Sequence, residues 1–220
     1  MSSRIWKWVY LGLSPYSLVT LADSEQISHY ELARLQDQEF LLTKKVIDEK
    51  VTNILLTTQK SLAFHIRKKN LKLPEEVSLN PRKIAKGENY KALPYWVSDF
   101  PAVLNKKDIW AFRVVVWWGK EISLNLILKG KFKEQCDLPS LPEMDLGIIY
   151  SAYADPWQLE LEEPYCIKLT KENSEKIVRH YQKADFIKLS MRLDLNEINK
   201  LPAQSVIRFD KLMAITNSLA

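Results

Sequence analysis

Apolar residues recur along 39–69 at Phe40, Ile47, Val51, Ile54, Leu55, Leu62 and Ile66, steps that mark one face of a helix. No Gly or Pro interrupts the stretch, which predicts one amphipathic helix of about 30 residues, roughly 45 Å long. Arg67-Lys68-Lys69 close it, where cations complement the C-terminal dipole. His65 falls at the edge of the apolar face, a structural position. Upstream, Ser28 followed by Glu31 reads as a capping box.

Residues 70–94 break the periodicity with Pro74, Pro81, Gly87 and Pro94, a stretch too short to separate two domains. The pattern then turns extended. Ile109 through Trp118 is rich in β-branched and aromatic residues on both faces, as in a central strand. Gly119-Lys120 predicts a two-residue type II′ turn. In the partner strand, Glu121 through Lys129, Ile122, Leu124, Leu126 and Leu128 alternate against Ser123 and Asn125.

Trp157, Leu159 and Leu161 alternate with Gln158, Glu160 and Glu162, and a helix is predicted over Thr170–Lys183 from a threonine cap. Phe186–Leu193 alternates with Ile187, Leu189, Met191 and Leu193 inward and Lys188, Ser190 and Arg192 outward. Asp194 with Glu197 opens a last helical pair interrupted at Pro202. Hairpin-linked strands between helices predict an α+β fold. Its antiparallel or mixed central sheet packs against the long N-terminal helix and the C-terminal helices, in a single domain over 1–220.

The 220 residues are 46% hydrophobic and 27% charged, which excludes collagenous, low-complexity and wholly disordered classes. No apolar run of about 18 residues exists to span a membrane. Arg4 and Lys7 precede the apolar stretch Trp8–Leu13, but aromatics and Pro15 suit a short strand and turn better than a secretion signal. Cys136 and Cys166 make no disulfide framework, so a reducing, cytoplasmic setting is expected. Net charge is +5, unevenly spread: residues 60–91 carry a net +6, and 134–163 a net −8 with no Lys or Arg. The basic stripe could meet nucleic acid, which the acidic stretch would repel; two solvated faces of opposite charge are the alternative.

Common catalytic plans lack their parts. There is no phosphate-cradling glycine loop of either usual form, no H-E-x-x-H and no G-x-S-x-G. With His29, His65 and His180 scattered, no metal or cofactor is expected. A cysteine beside His180 is the one nucleophile arrangement left open.

The segment 86–96 stands out. Tyr90, Tyr95 and Trp96 could stack on a planar ligand while Lys86 and Lys91 meet an anion, with Glu88 alongside; the other reading is a loop covering a sheet edge. Gly87-x-x-Tyr90-Lys91-x-Leu93-Pro94-Tyr95, followed by Val116-Trp117-Trp118, resembles the central part of the YktB-like bacterial family over residues 86–118. The resemblance implies a single-domain α/β fold and no activity, since that family's function is unknown.

With Gly119-Lys120 as the turn, Arg113 pairs Leu126 and shares the core face with Val115, Trp117, Ile122 and Leu124. A guanidinium there needs a partner, Asp99 first and Glu88 second. It forms either a structural ion pair or an anion-binding arginine in a pocket lined by Trp117 and Tyr95. The leading expectation is a non-catalytic binding protein for a small anionic or planar ligand near 86–99 and Arg113. The alternatives are a nucleic-acid-associated protein using 60–91 and an enzyme built on Arg113, Asp99 and Tyr90.

Overall fold

The computed structural model describes residues 26–136 and 147–217, with side chains to Ala214. The expected strand near Trp8–Leu13 and the acidic Asp137, Glu143 and Asp145 lie outside the described residues. The chain divides into two units, 1–45 and 46–220. In the first, α1 (His29–Leu35) starts at the expected capping box: Ser28 Oγ accepts from Glu31 N–H, and the Glu31 carboxylate accepts from Ser28 N–H at 2.8 Å. α2 spans Gln38–Lys69, so the long helix is as read. Its buried positions begin at Val51, and Phe40, expected on that face, is exposed.

The second unit is an α+β fold on a seven-stranded antiparallel sheet. β1 (Ala85–Tyr90), β2 (Leu93–Leu104), β3 (Ile109–Trp117), β4 (Ile122–Lys129), β5 (Ile149–Ser151), β6 (Cys166–Lys168) and β7 (Phe186–Leu193) lie in the order β1-β2-β3-β4-β7-β5-β6. β3 is buried on both faces, by the helices on one and by residues 157–159 on the other, which accounts for its apolar residues on both. α3 (Lys131–Glu134), α4 (Ser174–Tyr181) and α5 (Leu201–Asn217) complete the helices. The main core joins Leu55, Leu62 and Ile66 of α2 and Phe209 and Leu212 of α5 to one sheet face through Phe112, Val114, Leu124, Leu126 and Leu189. His65 Nε2 meets Asp210 Oδ1 of α5 at 2.7 Å, and Lys69 meets Oδ2 at 2.9 Å, contacts that tie α2 to α5.

The turn after β3 corrects the expected register. Lys120 N–H bonds Trp117 C=O at 3.1 Å, with Gly119 at φ +66° in the third position, where a type II turn needs a positive φ. The loop is therefore one residue longer than a two-residue hairpin. Val116 pairs Ile122 and Arg113 pairs Asn125, not Leu126. One residue of slip moves a partner strand's side chains to the other face. Arg113 accordingly lies opposite the helices, level with Asn125 and on the same face as Ser123.

That second face is not solvated. Residues 157–162, read as an alternating stretch, form no strand; residues 155–161 cross the sheet as an irregular strap with Leu159, Glu160 and Leu161 buried. Lys188 and Ser190, expected outward, are buried as a result.

Candidate functional site

The segment 86–96 is not a loop but a hairpin, β1 turning into β2 through Lys91 (φ +50°) and Ala92 (φ +62°). Strand alternation divides its side chains between the two faces. Lys86 pairs Trp96 across the hairpin, and both reach Asp48 of α2: Lys86 Nζ to Oδ2 at 2.8 Å, Trp96 Nε1 to Oδ1 at 2.6 Å. Tyr90, Tyr95 and Trp117 gather on the other face, with the Tyr90 ring edge-on to Tyr95 at 6.0 Å and to Trp117 at 5.4 Å. The three aromatics of 86–96 therefore form no common platform. Gly87 is not a hinge: a Cβ there would lie 2.3 Å from the Tyr95 ring, which crosses directly over it. Glu88 is exposed on β1 and is not Arg113's partner.

The strap closes over these groups. Glu160, itself buried, accepts from the Tyr90 hydroxyl and pairs with Lys91. Burial and the Glu160 hydrogen bond push the Tyr90 phenol up to about 12. Burial opposes the charge on Glu160, but Lys91 and Tyr90 more than offset it and hold the carboxyl below its ordinary range.

Asp99, Arg113, Asn125 and Ser190 stand at one level across four strands. Arg113 donates from Nε and Nη2 to the two oxygens of Asp99 at 2.7 and 2.8 Å, a fork-to-carboxylate pair with both side chains mostly buried. Asn125 donates to the Arg113 carbonyl at 3.1 Å and accepts from Ser190 Oγ at 2.6 Å. Trp157 of the strap lies 4.0 Å above the guanidinium, a cation–π contact. The site residues read from sequence thus fall into two groups, Tyr90, Lys91, Tyr95 and Trp117 beside Glu160, and Asp99 with Arg113, with Lys86 and Glu88 apart. The charges are paired within each group, while Trp117 Nε1 is buried without a hydrogen-bond partner among the described residues.

Lys188 is sealed beside this row. It is 2% exposed, donates to the Gln158 carbonyl, and is pushed down to about 8 by burial and then by the Arg113 charge. Its ordinary value is 10.5. Between those two pH values the unfolded chain binds the proton and the native one does not, so stability rises as pH climbs through the window. We expect the stability difference between the native chain and Lys188→Met to shift by about 2–3 kcal/mol across it, in favour of the native chain as pH rises. Urea unfolding at several pH values measures this, and a flat difference would refute a buried amine.

A third region was not legible from the pattern. Gln59, Lys60, Ala63, Phe64, Arg67 and Lys68 of α2 flank an open cleft of about 570 Å³ with Leu79, Pro81 and Phe100. Gln59 is saturated: its amide donates to the Arg82 carbonyl at 2.9 Å and to Ser98 Oγ at 3.0 Å, and its oxygen accepts from Arg82 N–H at 2.9 Å. The basic stripe sorts accordingly. Lys69, Lys86 and Lys91 are paired with Asp210, Asp48 and Glu160, and Arg82 donates to the Ala102 carbonyl at 3.0 Å. Lys60, Arg67 and Lys68 make no ion pair among the described residues, and all three border the cleft. The spacing of 60, 63, 64, 67 and 68 places them on one helix face, a signal visible in sequence once Phe64 is seen as exposed.

Among the described residues no helix is long and apolar enough to cross a membrane, and no cluster of three or more His, Cys, Asp or Glu could hold a metal ion. Comparisons with family models, curated proteins and solved structures return no match.

Proposed function

We propose that this chain is a binding protein whose ligand is a small anion with an apolar body, acyl or planar, seated in the cleft beside α2. One observation carries the reading: an apolar floor of Ala63, Leu79, Pro81 and Phe100 is bordered by three cations that pair with no carboxylate among the described residues. Like charges gathered without counter-ions destabilise a free protein, and an anionic ligand removes that cost. The volume falls within the range of small-molecule sites, about 300–1,000 Å³. The face around Arg113 is a weaker candidate, since its polar groups already pair and the strap covers them. The YktB-like resemblance implies no activity and adds nothing to this choice.

Calorimetric titration with dodecanoate and with naphthalene-2-sulfonate tests the reading. Saturable binding is expected, weakened about tenfold by joint Lys60→Glu and Lys68→Glu and comparably by Phe64→Ala. Added salt should weaken it as the screening length falls to about 10 Å at 0.1 M. Equal binding by the charge-reversed chain, or equal affinity for the uncharged 1-dodecanol, would overturn it. Tighter binding of a single-stranded oligonucleotide than of either anion would return the basic stripe to nucleic acid.

A further inference from the structure

A second cleft, of about 600 Å³, opens between α4 and the β5–β6 edge of the sheet, and its chemistry differs from the first. Its floor is Ala152, Pro164 and Ile167, and His180 stands in its wall. The imidazole is held from behind. Tyr150 of β5 is fully buried, its hydroxyl lies 2.8 Å from His180 Nδ1, and the two rings meet edge to face at 5.6 Å. A buried hydroxyl without an acceptor is costly, and His180 Nδ1 is the partner the fold provides. If Tyr150 donates there, the imidazole is neutral and its proton sits on Nε2. Nε2 makes no hydrogen bond among the described residues.

The electrostatics favour that neutral state. Burial lowers the His180 pKa from its ordinary value, and the nearby Lys133 charge lowers it further. Protonation would also turn Nδ1 into a donor and leave the Tyr150 proton without an acceptor. With the Tyr150 hydroxyl donating to Nδ1, the neutral imidazole presents Nε2–H to the cleft as a donor.

Around it the helix supplies charge. Lys176 and Arg179 lie four residues and one residue before His180 on α4, and Lys183, in the turn just past its end, lines the same cleft. With Lys171 they make four cations at the cleft, against Glu172 and Glu175. Glu175 is committed to Arg179 at 3.3 Å, while Lys176 and Lys183 make no ion pair among the described residues. These two ammonium groups beside an imidazole N–H offer several donors to the three oxygens of a phosphate monoester, about −1.5 to −2 at neutral pH, and suit it better than a monovalent carboxylate.

We propose that this cleft binds the phosphate group of a small phosphomonoester, with His180 Nε2–H, Lys176 and Lys183 as its donors and Tyr150 as the residue that positions the imidazole. The site is independent of the α2 cleft. Apolar Ala152 and Ile167 would lie against the body of the ester while the ammonium groups meet its oxygens at the mouth.

The test is imidazole ¹⁵N spectroscopy of the full chain, titrated with phenyl phosphate, inorganic phosphate and acetate. The free protein should show His180 as the Nε2–H tautomer, and Tyr150→Phe should convert it to a mixture. Phenyl phosphate should move the His180 Nε2 signal saturably and leave His65, held by Asp210, in place. Joint Lys176→Glu and Lys183→Glu, both exposed and harmless to packing, should weaken binding about tenfold or more. Tyr150→Phe should weaken phenyl phosphate binding with its thermal midpoint recorded alongside, and Tyr150→His should not restore the tautomer. A His180 signal unmoved by either phosphate overturns the proposal. So does unchanged affinity in the lysine variant, and acetate acting as strongly as phosphate overturns the assignment of ligand class. Loss of dodecanoate binding at the α2 cleft leaves every one of these readings unaffected, so the two proposals fail separately.

Discussion

Replacing Arg113 with Met lowers the unfolding free energy by about 3 kcal/mol, at the lower end of the cost of stranding one partner of a buried ion pair. The Met side chain keeps the length of the aliphatic stem and removes the guanidinium, with both its pairing to Asp99 and its contact over the Trp157 ring. Asp99 is left facing a covered sheet face with both oxygens unpaired, where Arg113 had filled them at 2.7 and 2.8 Å. The pair retains slight solvent access, 13% and 16% of the two side chains, which keeps the figure from the upper range. Adding Asp99→Asn should recover part of the loss, because an amide tolerates burial better than an uncompensated carboxylate. A single variant as stable as the native chain, by urea midpoint at equal slope, would show that the pair is not structural.

That pair was legible for a reason independent of the faulty register. Asp99 and Arg113 lie on strands joined by a hairpin, and a charge in an apolar strand must find its opposite nearby. The face was misread because Gly119 suits two turns: first in a two-residue loop, or third in the turn it actually makes. Composition does not separate those cases, yet one residue decides whether Arg113 meets Asn125 or Leu126.

The strap was harder still. Trp157, Leu159 and Leu161 alternate as a strand would, and nothing local says that Gln158 and Leu161 spend their carbonyls on Lys188 and Arg192 instead of on a ladder. Lys188 and Ser190 were assigned to solvent by the same alternation, which distinguishes two faces but not whether the second is covered. The two clefts were invisible for a related reason. Each combines one readable helix face, α2 or α4, with remote residues such as Phe100 or Tyr150 that only the fold brings near.

Leu55→Ala should cost about 2–5 kcal/mol, the range for emptying a core leucine site. Leu55 is fully buried in the cluster that joins α2 to the sheet. Its neighbours on the same face, Val51 one turn before and Leu62 two turns after, are themselves packed, so the void has little freedom to collapse. The contrast lies with Phe64, on the same helix but 66% exposed beside the cleft. Phe64→Ala removes more atoms yet should change stability by no more than about 0.5 kcal/mol, as surface substitutions do. The two variants therefore separate the two tasks of α2. Leu55→Ala should lose urea midpoint and keep anion affinity while folded; Phe64→Ala should keep the midpoint and lose affinity. Equal midpoints for the two would show that the buried stripe does not hold α2 to the sheet, whereas equal affinities would place the ligand elsewhere.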